Sequence, residues 1–192
     1  MQDVTPEFRM SFPNLFEPRF NNLSKKNEFS VVALFPKGTD LSGLEKLMVA
    51  ACEKKWGPNK DKWPKGLRSP IRDQSERIEA AKSNDKPSPE GYEEGAKFLN
   101  LRSVNRPGVV DQNVKPIIDP GQIYPGCWGT AYISVYAYDQ AGNRGVGFGL
   151  QHVQKTRDGD PLGGRVRVED AFKAVEGADE VSSSSDASSI FS

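Results

Sequence analysis

The stretch from Tyr124 to Arg167 places the tightest limit on how this chain folds. Thr130-Ala131-Tyr132-Ile133-Ser134-Val135-Tyr136-Ala137-Tyr138 is a β-rich run, Asp139 to Gly145 breaks it, and Val146 to Lys155 resumes it. Two such runs joined by a connection bearing Gly142 and Asn143 predict an antiparallel hairpin. The two-residue period of a strand puts the compact apolar Ala131, Ile133, Val135 and Ala137 on one face. Tyr132, Ser134, Tyr136 and Tyr138 fall on the other. The first set suits a core. The second is a row of flat rings with polar tips, which serves either as ordinary strand packing or as a surface on which unpaired bases stack. On the returning strand, Gly145, Gly147 and Gly149 strip one face of side chains, so that a bulky group or another backbone can approach. Their spacing, with no helix start behind it, does not fit a dinucleotide phosphate loop.

Upstream, Phe8 to Phe12 alternates as a strand that Pro13 is expected to end, and Leu15 to Phe20 follows as a loop or edge segment. Phe29 to Phe35 is nearly all apolar and predicts a strand buried on both sides. Leu44, Leu47, Met48 and Ala51 share one face of a helix that ends before Gly57-Pro58, with Ser42 and Glu45 at capping-box spacing. Residues 58–96 are polar, carry a short helical turn at Ile78 to Lys82, and lack the apolar residues for a core of their own. Lys97 to Ser103 is a strand with Phe98, Asn100 and Arg102 on one face and Leu99 and Leu101 on the other. Arg106 to Asp111 turns into a short strand, Asp119-Pro120-Gly121 is a turn, and Val168 to Val175 is a short helix. Five or six strands, one strong helix and many Gly/Pro turns predict a mainly β chain. The expected architecture is a five-stranded OB-type barrel over residues 1–175, with a helical insertion at 40–96. A disordered, acidic, Ser-rich C-terminal tail follows at 176–192.

At 192 residues the chain suffices for one such domain and an extension. It has no apolar run of the roughly 20 residues a membrane span needs and no secretory leader, so a cytoplasmic location is expected. Cys52 and Cys127 read as free thiols of a reducing compartment. The formal net charge is zero, but the tail holds four acids and no Lys or Arg, which leaves the body mildly basic.

Catalytic chemistry finds little support. His152 is the only histidine and stands beside no nucleophile motif, and two distant cysteines with one histidine do not make a zinc site. Asp111, Asp119, Asp139, Asp158 and Asp160 could be drawn as a metal-dependent nuclease, but each sits among turn residues and reads as turn chemistry. No metal or cofactor site is expected. Basic residues are more telling: Arg144, Lys155, Arg157, Arg165 and Arg167 gather at the hairpin ends and in the loop behind it, and Arg68, Arg72, Arg102 and Arg106 add to them. Rings interleaved with Arg and Lys on a barrel sheet are what sequence-tolerant single-strand binding requires.

Several stretches resemble a known family: Phe35 to Leu41, Leu67 to Asp73, Arg106 to Asp111, Tyr136 to Asn143, and Gly147 to Leu150 through Pro161 to Arg165. The chain resembles the phage-encoded single-stranded-DNA-binding proteins across nearly all of residues 5–172. The resemblance implies an OB-fold that coats single-stranded DNA during phage replication or recombination in the infected bacterial cell, without catalysis. The contact residues come from face and charge. Tyr132, Tyr136 and Tyr138, with Phe148 and Trp128, are the candidates for base stacking, and Arg102, Arg106, Arg144, Lys155, Arg157 and Arg165 for phosphate contact. Ile190 and Phe191 form an apolar plug on the acidic tail, suited to docking replication or recombination proteins. An annealing or recombination-mediator protein, the metal-dependent nuclease and a virion component stay open as alternatives. Oligomeric state, a homodimer included, is left open.

Overall fold

The computed structural model describes residues 1–140 and 142–163. The expected helix at Val168 to Val175, the acidic tail, Arg165, Arg167, Ile190 and Phe191 lie outside them. The elements in chain order are β1 (Gln2–Val4), β2 (Phe8–Asn21), β3 (Lys26–Phe35), α1 (Ser42–Trp56), β4 (Arg72–Asp73), α2 (Ser75–Lys82), β5 (Lys97–Ser103), β6 (Gly108–Val110), β7 (Trp128–Gln140) and β8 (Asn143–Arg157).

Five strands close into a ring. β2 pairs with β3, β3 with β5, β7 with β8 and β7 with β2, all antiparallel, while β5 meets β8 in parallel at Arg102 and Gly149. This is the expected mainly β, OB-type barrel, with its third and fifth strands parallel. β1 adds to β7, β6 to β8 and β4 to β5. The alternation along β7 decides what faces inward: Ala131 and Ile133 are fully buried and Val135 nearly so. Val146, Phe148, Leu150 and Val153 from β8 join Phe8, Met10, Phe35, Leu99 and Leu101 in the core. Each large apolar side chain removed from water contributes about 1.5–3 kcal/mol. The α1 helix adds Leu44, Ala51 and Cys52 to this cluster and packs on β7. Cys52 and Cys127 are free and buried, and burial raises the pKa of both thiols.

Two local expectations need correction. The strand starting at Phe8 does not end at Pro13 but continues to Asn21. Its register against β3 slips between Ser11 and Asn14 and again between Asn14 and Arg19, and Phe12 adopts a φ of 47°. Pro13 and Pro18 fall within these irregular stretches, where a ladder N–H is not required. The segment expected as a loop or edge segment is therefore the outer half of a long hairpin arm, running past the end of β5 at Ser103. At α1, Ser42 and Glu45 do not form a capping box. Leu41 occupies the cap position, and the Asp40 carboxylate accepts the Ser42 N–H at 2.9 Å, which lowers the Asp40 pKa.

Residues 58–96 pack outward on the barrel. Trp63, Leu67 and Ile71 rest against its core. Gln74, 1% exposed, donates to the carbonyls of Phe35 and Lys97 and accepts the Glu93 N–H. Arg72, Arg77 and Tyr92 cover Phe98 on the outside of β5. Phe98 is thereby buried, while Asn100 and Arg102 further along the same face stay accessible.

Candidate nucleic-acid interface

The outward stripe of the β7–β8 hairpin is built from cross-strand pairs. Tyr138 lies opposite Gly145, Tyr136 opposite Gly147, Ser134 opposite Gly149, and Tyr132 opposite His152. The bare glycine face expected to admit a bulky group is filled by the hairpin's own rings. A Cβ on Gly147 would stand 2.7 Å from Tyr136 Cζ, and one on Gly145 would stand 3.0 Å from the Tyr138 hydroxyl. The Tyr136 ring thus lies over a glycine floor with its outer side free, at 52% exposure. Tyr132 is 37% exposed, lies nearly parallel to the His152 ring at 6.2 Å, and donates from its hydroxyl to Gln2 Oε1 at 3.0 Å. His152 Nδ1 accepts the Gly108 N–H at 3.2 Å, which fixes the start of β6 beside it.

The register extends this stripe around the barrel. Asn14 pairs with Ser30, Ser30 with Arg102, Arg102 with Gly149 and Gly149 with Ser134. This polar row crosses from the β2–β3 arm to the tyrosines. At the arm, Arg19, Phe20 and Asn22 face Ser30 and Arg102 across an open groove of about 340 Å³. Phe12 and Phe20 are 64% and 59% exposed. Arg19 and Phe20 escape the sequence pattern because two prolines mask the strand that carries them. The signal was present nonetheless: aromatic-rich runs flank the Asn/Ser/Lys turn at 21–26, which is hairpin patterning.

The predicted site residues separate once their partners are seen. Tyr132, Tyr136, Tyr138 and Arg102 meet on the outer face, and Arg106 is exposed in the loop that leads to β6. Phe148 is 5% exposed in the core, so a base cannot reach it without unpacking the barrel. The Trp128 ring is capped by the Arg157 guanidinium at 3.9 Å. Arg157 is itself held by Glu7 at 2.9 Å, and that hydrogen bond lowers the Glu7 pKa. Lys155 bonds Asp158 and the Gln122 carbonyl, and Arg144 pairs with Asp139 at 3.0 Å. Each of these three cations thus has an acidic partner within the fold. By contrast, the side chains of Arg19, Arg68, Arg102 and Arg106 make no ion pair or hydrogen bond among the described residues. Asp111 and Asp119 behave as turn residues, whereas Asp139 and Asp158 pair with Arg144 and Lys155. Asp111 accepts the N–H groups of Asn113 and Lys115, and Asp119 accepts that of Gly121. No three His, Cys, Asp or Glu side chains converge as a metal site among the described residues.

An OB-type barrel that displays rings and unpaired arginines on one outer face is of the class whose architecture suits unpaired nucleic acid. The chain belongs to the family described as Enterobacter phage Enc34, ssDNA-binding protein, which it matches over residues 1–182. Putative protein p50 of Acyrthosiphon pisum secondary endosymbiont phage 1 is 33% identical over 180 residues, covering 90% of this chain and 92% of that one. Among solved structures, the single-stranded DNA-binding protein from bacteriophage Enc34 in complex with ssDNA superposes with a TM-score of 0.62. It is 23% identical and covers 84% of this chain and 89% of its own. Gp2.5, a single-stranded DNA-binding protein encoded by bacteriophage T7, reaches a TM-score of 0.52 at 15% identity, covering 95% and 98%. At these identities the two structures establish a shared OB-type fold.

Proposed function

We propose that this chain binds single-stranded DNA with little sequence preference and coats it during phage replication or recombination in the cytoplasm of the infected bacterium. The observation that carries the reading is the continuous outer face from the β2–β3 arm to the β7–β8 stripe. There, exposed rings at Phe20, Tyr132 and Tyr136 flank the polar row that carries the unpaired Arg19 and Arg102. Every base has a π-face, so ring stacking tolerates any sequence, at about 1–3 kcal/mol per base. Unpaired guanidinium groups release counterions from the phosphates they meet, and a duplex hides its base faces from the rings. Binding without bond making or breaking is the proposed role, and family membership supports it. The test is a fluorescence-anisotropy comparison of oligo-dT, duplex DNA and single-stranded RNA over a salt series. Tight oligo-dT binding that weakens steeply with salt is expected. Equal affinity for duplex, or no salt dependence, overturns the reading.

A further inference from the structure

We propose that Arg68, carried by the insertion and not by the barrel strands, is a phosphate-binding residue at the Tyr138 end of this face, which deepens the single-strand reading and rests on it. β5 touches β8 at Arg102 and Gly149, and below that point the segment around Arg68 takes its place. Arg68 bridges Gly145 in parallel, its N–H donating to the Arg144 carbonyl at 3.0 Å and its carbonyl accepting the Val146 N–H at 3.1 Å. On either side Leu67 and Ile71 are anchored against the core. The backbone at Arg68 is therefore held on three counts, while its side chain is exposed and without an ionic partner among the described residues.

Its position points to a role in binding. A Cβ on Gly145 would lie 3.0 Å from both Arg68 Cβ and the Tyr138 hydroxyl, so the guanidinium stem starts beside that ring. A nucleotide whose base rests on Tyr138 carries its phosphate a few ångströms to the side, within reach of an arginine side chain. Arg144, which stands at the hairpin tip nearby, is occupied by Asp139. Arg72, four residues along the same segment, is taken up by Glu76 and the Phe98 ring. An arginine pinned by its backbone has only side-chain freedom to lose on meeting a phosphate, and its planar fork matches two phosphate oxygens.

The experiment titrates oligo-dT against the full chain, Arg68→Ala and Arg68→Lys from low to moderate salt, with thermal unfolding as a fold check. Each phosphate contact on a single strand contributes about 0.7 to the slope of log K against log salt. Arg68→Ala is expected to bind several-fold more weakly at low salt, with a slope shallower by about 0.7, and to melt with the full chain. Arg68→Lys keeps the slope, because the charge is kept. An unchanged slope in Arg68→Ala, beside a steep slope for the full chain, overturns this assignment and leaves the single-strand reading standing. A flat slope for the full chain overturns both.

Discussion

Gly147→Ala separates ring placement from fold stability. The glycine is a β8 residue with ordinary extended backbone, so alanine introduces no backbone strain there. Its added methyl would meet Tyr136 Cζ at 2.7 Å, Oη at 2.8 Å and Cε2 at 2.9 Å. Carbon atoms prefer roughly 3.5–4.0 Å, so the ring must lift by about 1 Å or swing aside. The atoms that must move are the far end of a half-exposed side chain, which costs little. Replacing glycine within a strand also removes about 0.5–1 kcal/mol of unfolded-state entropy. The expected melting temperature is therefore unchanged or slightly higher. Binding should respond otherwise. If a base stacks on Tyr136, tilting that ring forfeits much of a contribution of about 1–3 kcal/mol, or roughly a 5- to 100-fold loss in oligo-dT affinity. Gly145→Ala is the control, since its methyl would meet the Arg68 carbonyl at 2.5 Å and must displace backbone. It should lower the melting temperature. Anisotropy with labelled oligo-dT and differential scanning fluorimetry read both quantities. A Gly147→Ala protein that binds with full affinity refutes the placement of a base on Tyr136. One that melts as low as Gly145→Ala refutes the claim that only the ring must yield.

Tyr136→Ala should weaken oligo-dT binding with little change in melting, whereas Phe148→Ala should cost about 3–5 kcal/mol of stability, because Phe148 fills the core. Chemical denaturation beside anisotropy distinguishes the two. Phe20→Ala, on the exposed arm, should reduce affinity by a single stack and leave the unfolding midpoint in place; unchanged affinity would remove the arm from the interface. The pH dependence follows from Glu7, whose folded pKa lies below its ordinary value mainly through the Arg157 hydrogen bond. A lowered folded pKa adds stability that is fully present above the ordinary carboxylate value of about 4.3 and disappears as pH falls through the folded one. Melting curves of Glu7→Gln should therefore show a shallower drop than the unaltered chain below about pH 4.5. An identical acid profile would mean that the clamp on Arg157 contributes nothing.

The barrel was legible in the sequence because its evidence is local. The inward Ala131, Ile133 and Val135 and the outward tyrosines follow from a two-residue period, and Leu99 and Leu101 against Asn100 and Arg102 follow from the same rule. What was lost depended on contacts distant in sequence. Charge alone marks Arg157 as a phosphate ligand, yet its partner Glu7 lies 150 residues away. Phe148 is the exception, because the same two-residue period that turns Gly147 and Gly149 outward places it on the inner face without any distant contact. Pro13 read as a terminator because the bulge that accommodates it is a property of the pair of strands, not of either alone. The glycine ladder shows the same dependence: by itself it suggests an empty surface, and only the register with β7 shows that the tyrosines occupy it.

How a chain of zero net charge holds a polyanion then depends on which cations are spent. Arg144, Lys155 and Arg157 are each paired with an acid, so each is expected to contribute less to phosphate binding than an unpaired arginine. Of the described arginines, Arg19, Arg68, Arg102 and Arg106 have heads free of ion pair, hydrogen bond and ring contact, and three of the four border the row from the arm to the tyrosines. Between these two groups, counterion release should draw on the second. Arg102→Gln should flatten the log–log salt slope by about 0.7. The paired change Asp139→Asn with Arg144→Gln removes a cation and its acid together, and should leave the slope where it was. Arg144→Gln alone is the weaker test, because it strands Asp139 near the interface and repels phosphate through a different route. If the paired change flattens the slope as much as Arg102→Gln does, Arg144 exchanges Asp139 for phosphate on binding. The division into spent and free charges would then fail at the hairpin tip.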